Sequence, residues 1–123
     1  MSVEVIEDKF SGVANDFLIG FTEMQEAVYK TAVEHGWWDD ERNNGELIAL
    51  MHSELSEGLD SLRHGDPPSD HIPEFSGLEE EFADVIIRIM DYAQARGLRV
   101  GEAVLAKAKF NESRRYKHGG KKF

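Results

Sequence analysis

Glu54 and Glu57 stand three residues apart in the stretch LMHSELSEGLDSL, and Glu81 and Asp84 repeat that spacing in LEEEFADVIIRIMDYA. Three residues is close to one helical turn, so each pair projects from one side of its helix. At about 100° per residue, Met51, Leu55, Leu59 and Leu62 form an apolar stripe, with Glu54 beside it and Leu50 between Glu54 and Glu57. In the second segment Leu78, Phe82, Val85, Ile86, Ile89 and Ala93 make the stripe; Glu81 lies at its edge, and Asp84 is displaced to the same side as Glu57 is from Glu54. A carboxylate buried without a partner costs several kcal/mol or takes up a proton. Packed antiparallel, the two helices would bring all four carboxylates together, and their mutual repulsion calls for a positive counter-charge. Arg88 could neutralise one acid, not four. Hard divalent cations that prefer oxygen ligands, Mg²⁺ or Mn²⁺, fit the set. Asp60 and Asp91 fall on nearby faces as outer members.

The elements that must carry these acids are helical. Periodic apolar residues predict helices over 14–35, 40–64, 78–96 and 101–116; glycine follows each of the first three at once, and the HGG beyond the fourth cannot sustain a helix. The segment 65–77, GDPPSDHIPEFSG, carries three prolines and two glycines and reads as a loop. The expected fold is therefore all-α and four-helix bundle-like. A length of 123 residues suits one domain over 1–123, with an N-terminal arm at 1–13 and a basic C-terminal tail at 117–123. The absence of cysteine excludes disulfides and thiolate metal sites. No apolar run approaches the roughly 20 residues of a membrane span, and no secretory signal opens the chain, so a cytoplasmic location is expected. A net charge of −10 argues against general nucleic-acid binding. The charge is uneven, however: from Lys107 onward the chain holds half of its 14 Lys and Arg and one acid, Glu112.

With both acid pairs in order on amphipathic helices, followed by KAKFNESRRYKHGGKK, the chain resembles the MazG-like, all-α nucleoside triphosphate pyrophosphatases. That superfamily also includes the dimeric dUTPases, the dCTP pyrophosphatases and the phosphoribosyl-ATP pyrophosphatases. The resemblance runs from about residue 37 to the C-terminus. It implies a MazG-type fold in which Glu54, Glu57, Glu81 and Asp84 hold Mg²⁺, with Lys107 and Asn111 completing the pattern. It implies hydrolysis of a (deoxy)nucleoside triphosphate to monophosphate and pyrophosphate, in a homodimer or homotetramer that sanitises the nucleotide pool. Such chemistry needs metal-activated water and electrostatic positioning, not a Ser or Cys nucleophile; Glu80 or Glu57 could assist as base. Ser53 departs from the pattern, because many members carry a further acid there.

Lys107, Asn111 and Arg114 recur at one face of the fourth helix, where they are either a snorkelling surface stripe or donors to phosphate and sugar oxygens. The resemblance favours the second. Trp37 and Trp38, between the first two helices, are either a packing corner or a wall on which a base stacks. Two rival readings stand beside the pyrophosphatase: a phosphoribosyl-ATP pyrophosphatase, and a non-catalytic metal-binding helical interaction module.

Overall fold

A computed structural model describes residues 9–114. Among them are four α-helices and no strand: α1 (Ser11–Glu34), α2 (Asn44–Arg63), α3 (Gly77–Arg96) and α4 (Val100–Ser113). The all-α, four-helix, bundle-like class is thus the observed one. No helix among the described residues is long and apolar enough to cross a membrane. The chain comprises two compact units. One comprises Met24–Leu98; the other combines the described residues up to Glu23 with those from Arg99 onward.

The helix ends follow local chemistry. α2 starts at Asn44, later than the apolar period suggests, because the Asn43 side chain accepts the Glu46 N–H at 3.2 Å and fixes the first turn there. Ser76 and Glu79 close α3 with a capping box, in which each side chain serves the other's backbone N–H. Gly97 ends α3 in the left-handed conformation, φ 69°. α1 begins at Ser11, inside the segment expected as an arm; residues 1–8 of that arm, and the tail at 117–123, lie outside the described residues.

In the larger unit α2 and α3 pack antiparallel. Gly58 meets Leu78 and Glu81, Glu54 meets Arg88, and Asn44 meets Arg96, so the contacts run up one helix and down the other. The buried line of α2 is Leu47, Glu54 and Gly58. Gly58 permits the close approach: a Cβ there would lie 3.1 Å from Leu78 Cδ1. Because α3 seats on this line, the leucine stripe of α2 faces outward, with Leu55, Leu59 and Leu62 about half exposed, as are Phe82 and Ile86 of α3. Within the same unit the C-terminal half of α1 reaches α3 through Gln25 Nε2, which donates to Gln94 Oε1 at 3.0 Å.

The loop between α2 and α3 is braced at both ends. Asp66, at φ 50°, accepts from Ser61 Oγ and from the Leu78 N–H at 2.9 Å, so one carboxylate ties the end of α2 to the start of α3. The Gly77 N–H donates to Pro67 O at 2.9 Å, and the Ser69 N–H donates to Phe75 O at 2.8 Å. In the smaller unit the Phe17 and Phe21 rings meet tilted, with centroids 5.5 Å apart, and Gly101 of α4 lies against the Phe21 ring, where a Cβ would come within 3.0 Å.

The brace makes Gly77 intolerant of a side chain, since a Cβ there would fall 2.2 Å from Ser61 Oγ and 3.1 Å from Ser61 Cβ. Gly77→Ala should therefore lower the unfolding free energy by ~1–3 kcal/mol, despite the better helix propensity of alanine. Urea denaturation of the two proteins checks this; equal midpoints would refute it.

Candidate metal site and the adjoining cleft

The α2–α3 interface buries an acid where a leucine would be ordinary. Glu54 is 8% exposed and sits midway along the buried line of α2. Antiparallel packing sets Glu81 opposite it, and Glu57, one turn on, completes a group. One carboxylate oxygen from each of Glu54, Glu57 and Glu81 lies within 4.8 Å of the others. Glu57 is exposed and Glu81 half-buried, so the group opens outward from a buried base. Three of the four acids singled out by spacing are thus brought together. Asp84, the fourth, lies outside this group, but its field reaches Glu54 and it lines the same cleft as Glu54.

The electrostatics of the group are unbalanced. Burial, the hydrogen bond to Glu54 and the charge of Glu57 push the Glu81 carboxyl up to about 8. Burial would also raise Glu54, but hydrogen bonds from Glu81 and Arg88 outweigh it and hold Glu54 below the usual carboxylate range. Arg88 Nε and Nη2 both lie 2.9 Å from Glu54 Oε1. Burial and the charge of Glu54 raise Asp84. One atom is left over: Glu81 Oε2 is buried and has no hydrogen-bond partner. An orphaned carboxylate oxygen beside two further carboxylates is what a cation would satisfy, so the three residues could hold a metal ion.

A cleft of about 410 Å³ adjoins this group, lined by α1, α2, α3 and the corner between the first two helices. Glu54, Asp84 and Arg88 line it together with Leu50, Ile87 and Trp37. The two tryptophans part company here. Trp38 is a packing residue: its Nε1–H donates to Asp91 Oδ1 at 2.8 Å, its ring lies 6.0 Å from Tyr29, and the guanidinium groups of Arg42 and Arg96 sit over it at 5.0 and 5.5 Å. Burial raises the Asp91 carboxyl, against the lowering effect of the Trp38 bond. Trp37 is 62% exposed and lines the cleft, with Arg42 at 5.9 Å from its ring.

Glu80, weighed as a base from the sequence, has both oxygens engaged. Ser69 Oγ donates to Oε2, and His71 Nδ1 lies 2.7 Å from Oε1. These contacts hold Glu80 below the usual carboxylate range and raise His71. Ser53 Oγ donates to Leu50 O within its own helix at 2.7 Å, so no ligand comes from that position. Lys107, Asn111 and Arg114 are exposed residues of the smaller unit, where the Lys107 ammonium lies 4.5 Å and the Arg114 guanidinium 5.7 Å from the Phe110 ring. Asp91, expected as an outer member of the acid cluster, lines the cleft with Glu54 and Asp84, whereas Arg42 escaped the sequence reading. Asp91 stood out only by its seven-residue spacing from Asp84, and no local pattern marked Arg42.

No family model, no curated protein and no solved structure matches the chain. The functional reading accordingly rests on the residues and their geometry.

Glu81 gives that geometry a pH signature. Its folded pKa lies above its ordinary value, so between about 4.5 and about 8 the folded state binds more protons than the unfolded one. Stability drawn from this group is full below the ordinary carboxylate range and is lost as pH rises through the folded pKa. Raised Asp84 and Asp91 act in the same direction. The cation-free protein should therefore melt at progressively lower temperature from pH 5 to pH 8.5, and Glu81→Gln should flatten much of that slope. Thermal scans in chelator across this range check it; an equal slope in the variant would be the refuting result.

Proposed function

We propose that this chain is a divalent-cation-dependent nucleoside triphosphate pyrophosphatase that hydrolyses a (deoxy)nucleoside triphosphate to monophosphate and pyrophosphate, a nucleotide-pool sanitising activity. The observation that carries the reading is the three-carboxylate group, with its unpartnered Glu81 oxygen, beside a cleft that also exposes an indole. Glu54, Glu57 and Glu81 would hold Mg²⁺ or Mn²⁺, and Asp84 extends the acidic wall. The ion, when bound, would lower the pKa of a coordinated water and stabilise charge on phosphoryl oxygens.

The remaining work falls to side chains. Trp37 offers a flat apolar surface for the base and Trp38 holds the corner that presents it. Leu50 and Ile87 add apolar wall to the cleft that Glu54 and Asp84 also line. Of the two acids considered as base, Glu80 has both oxygens engaged by Ser69 and His71, and Glu57 belongs to the group that would hold the ion. Lys107, Asn111 and Arg114 enter this reading as phosphate-binding residues on the sequence alone. A homodimer or homotetramer belongs to it as well: the outward stripe of Leu55, Leu59, Leu62, Phe82 and Ile86 is a surface that a second copy would cover.

The decisive experiment is release of pyrophosphate from a panel of common and damaged nucleoside triphosphates and phosphoribosyl-ATP, with Mg²⁺ or Mn²⁺ and with chelator. Cation-dependent release is expected, and Glu54→Gln, Glu57→Gln and Glu81→Gln should each lower kcat by roughly a hundredfold or more, the scale of losing a group that organises transition-state charge. Full turnover in chelator, or in all three variants, would place the site elsewhere. Preferred cleavage of phosphoribosyl-ATP would move the chain to that activity, and cation binding without turnover to a non-catalytic module.

The tryptophans should separate in the same assay. Trp37→Ala should raise KM roughly tenfold, the scale of one lost base–aromatic stack, with melting temperature unchanged. Trp38→Ala should lower the melting temperature by several degrees, because it takes the N–H donor from Asp91 Oδ1 and removes the ring packed against Tyr29 and the two guanidinium groups (roughly 1–3 kcal/mol). Equal effects of the two variants on KM and on stability would refute this division of labour.

A further inference from the structure

Arg88 is the basic side chain of the larger unit that reaches into the carboxylate group. It projects from α3 one turn after Asp84 and three residues before Asp91, and it lines the cleft with Glu54, Asp84 and Asp91. Two of the N–H groups of its guanidinium converge on one atom, Glu54 Oε1. That oxygen belongs to the most buried of the three acids, the one whose side chain is 10% exposed, whereas the Arg88 side chain is 37% exposed. Its position is thus asymmetric: one edge holds the buried acid, and the residue as a whole remains on the wall of an open cleft.

Glu54 needs a positive partner at all times, because a buried carboxylate without one is costly. Arg88 supplies it in the structure as it stands. A divalent cation held by Glu54, Glu57 and Glu81 would supply it instead, and the two positive groups would then repel one another across Glu54. A guanidinium freed in this way is left in a cleft with five donors and a strong preference for phosphate oxygens. We propose that Arg88 is an exchangeable counter-ion: it holds Glu54 before a divalent cation is bound, yields that oxygen when one is, and then takes a phosphate group of the substrate in the cleft. Arg88 thereby couples the two binding events, since the side chain that binds phosphate is released by the cation. The proposal rests on the metal-site reading above and adds to it a residue that acts on the polyphosphate from α3.

Calorimetry with Mn²⁺ alone, followed by pyrophosphate titrated at saturating Mn²⁺, tests it on the full chain. Arg88→Met removes the competitor and the donor together. It should bind Mn²⁺ roughly tenfold more tightly than the unsubstituted protein, bind pyrophosphate roughly tenfold or more weakly, and melt at a lower temperature in chelator, with the loss reversed by Mn²⁺. Arg88→Lys keeps the charge but cannot fork onto one oxygen, so it should also tighten Mn²⁺, by a smaller factor; a mere effect of net charge would leave it at the original affinity. If Arg88→Met does not fold, Arg88→Lys decides alone. Weakened or unchanged Mn²⁺ binding in the folded variants, or unchanged pyrophosphate affinity, overturns the exchange while leaving the metal site standing. If the unsubstituted protein binds Mn²⁺ no better than Glu54→Gln does, the metal-site reading itself fails, and the exchange with it.

Discussion

Everything in the larger unit is arranged around one carboxylate held inside a helix–helix interface. Glu54 occupies the line on which α2 meets α3, between Leu47 and Gly58, and it is held there by a guanidinium from the opposite helix and by a hydrogen bond shared with Glu81. A leucine at that position would make a better interface by burial alone. The close approach at Gly58, the brace of the connecting loop through Asp66, and the capping box that fixes the start of α3 together set the phase in which Glu81 and Arg88 arrive. Stability is given up at the centre of the unit, and the caps and braces at its ends offset part of that cost.

The phase of α3 is also what divides the surface of the pair. Because the two helices meet along the line of Glu54, their acids gather on one flank, and the bulk of their apolar side chains turns to another. Period alone suggests that the leucine stripe is the packing face, since burial of leucine is the larger driving force per residue. The stripe yields to Gly58, because a residue without a side chain lets two backbones close, and the closest line of approach decides which residues are interior.

That contrast marks what could be read from the chain. The helices, their order and their class were legible because apolar period, glycine stops and the proline-rich loop all agree. Glu54, Glu57 and Glu81 were legible as a group, because two i, i+3 acid pairs in matching phase leave few other arrangements for an antiparallel pair. The start of α2 was not: Asp40 and Asn43 are both good caps, and only the observed bond from the Glu46 N–H distinguishes them. Nor were the distinct places of Trp37 and Trp38, since neighbours in sequence take opposite environments when the chain turns between them. The bond of Arg88 to one oxygen of Glu54, and the capture of Glu80 by Ser69 and His71, depend on contacts across 34, 11 and 9 residues, beyond the reach of any local pattern.

The corner between α1 and α2 holds the only two indoles of the chain, one packed among Tyr29, Arg42 and Arg96 and the other largely in water. Two chromophores in such different surroundings emit differently. Trp37 lines the cleft directly, whereas Trp38 meets it only through Asp91 and Arg42, so the exposed ring of Trp37 is the one in direct reach of whatever enters. The protein therefore carries its own optical gauge of cleft occupancy, readable in unlabelled material and silent to events that leave that corner undisturbed.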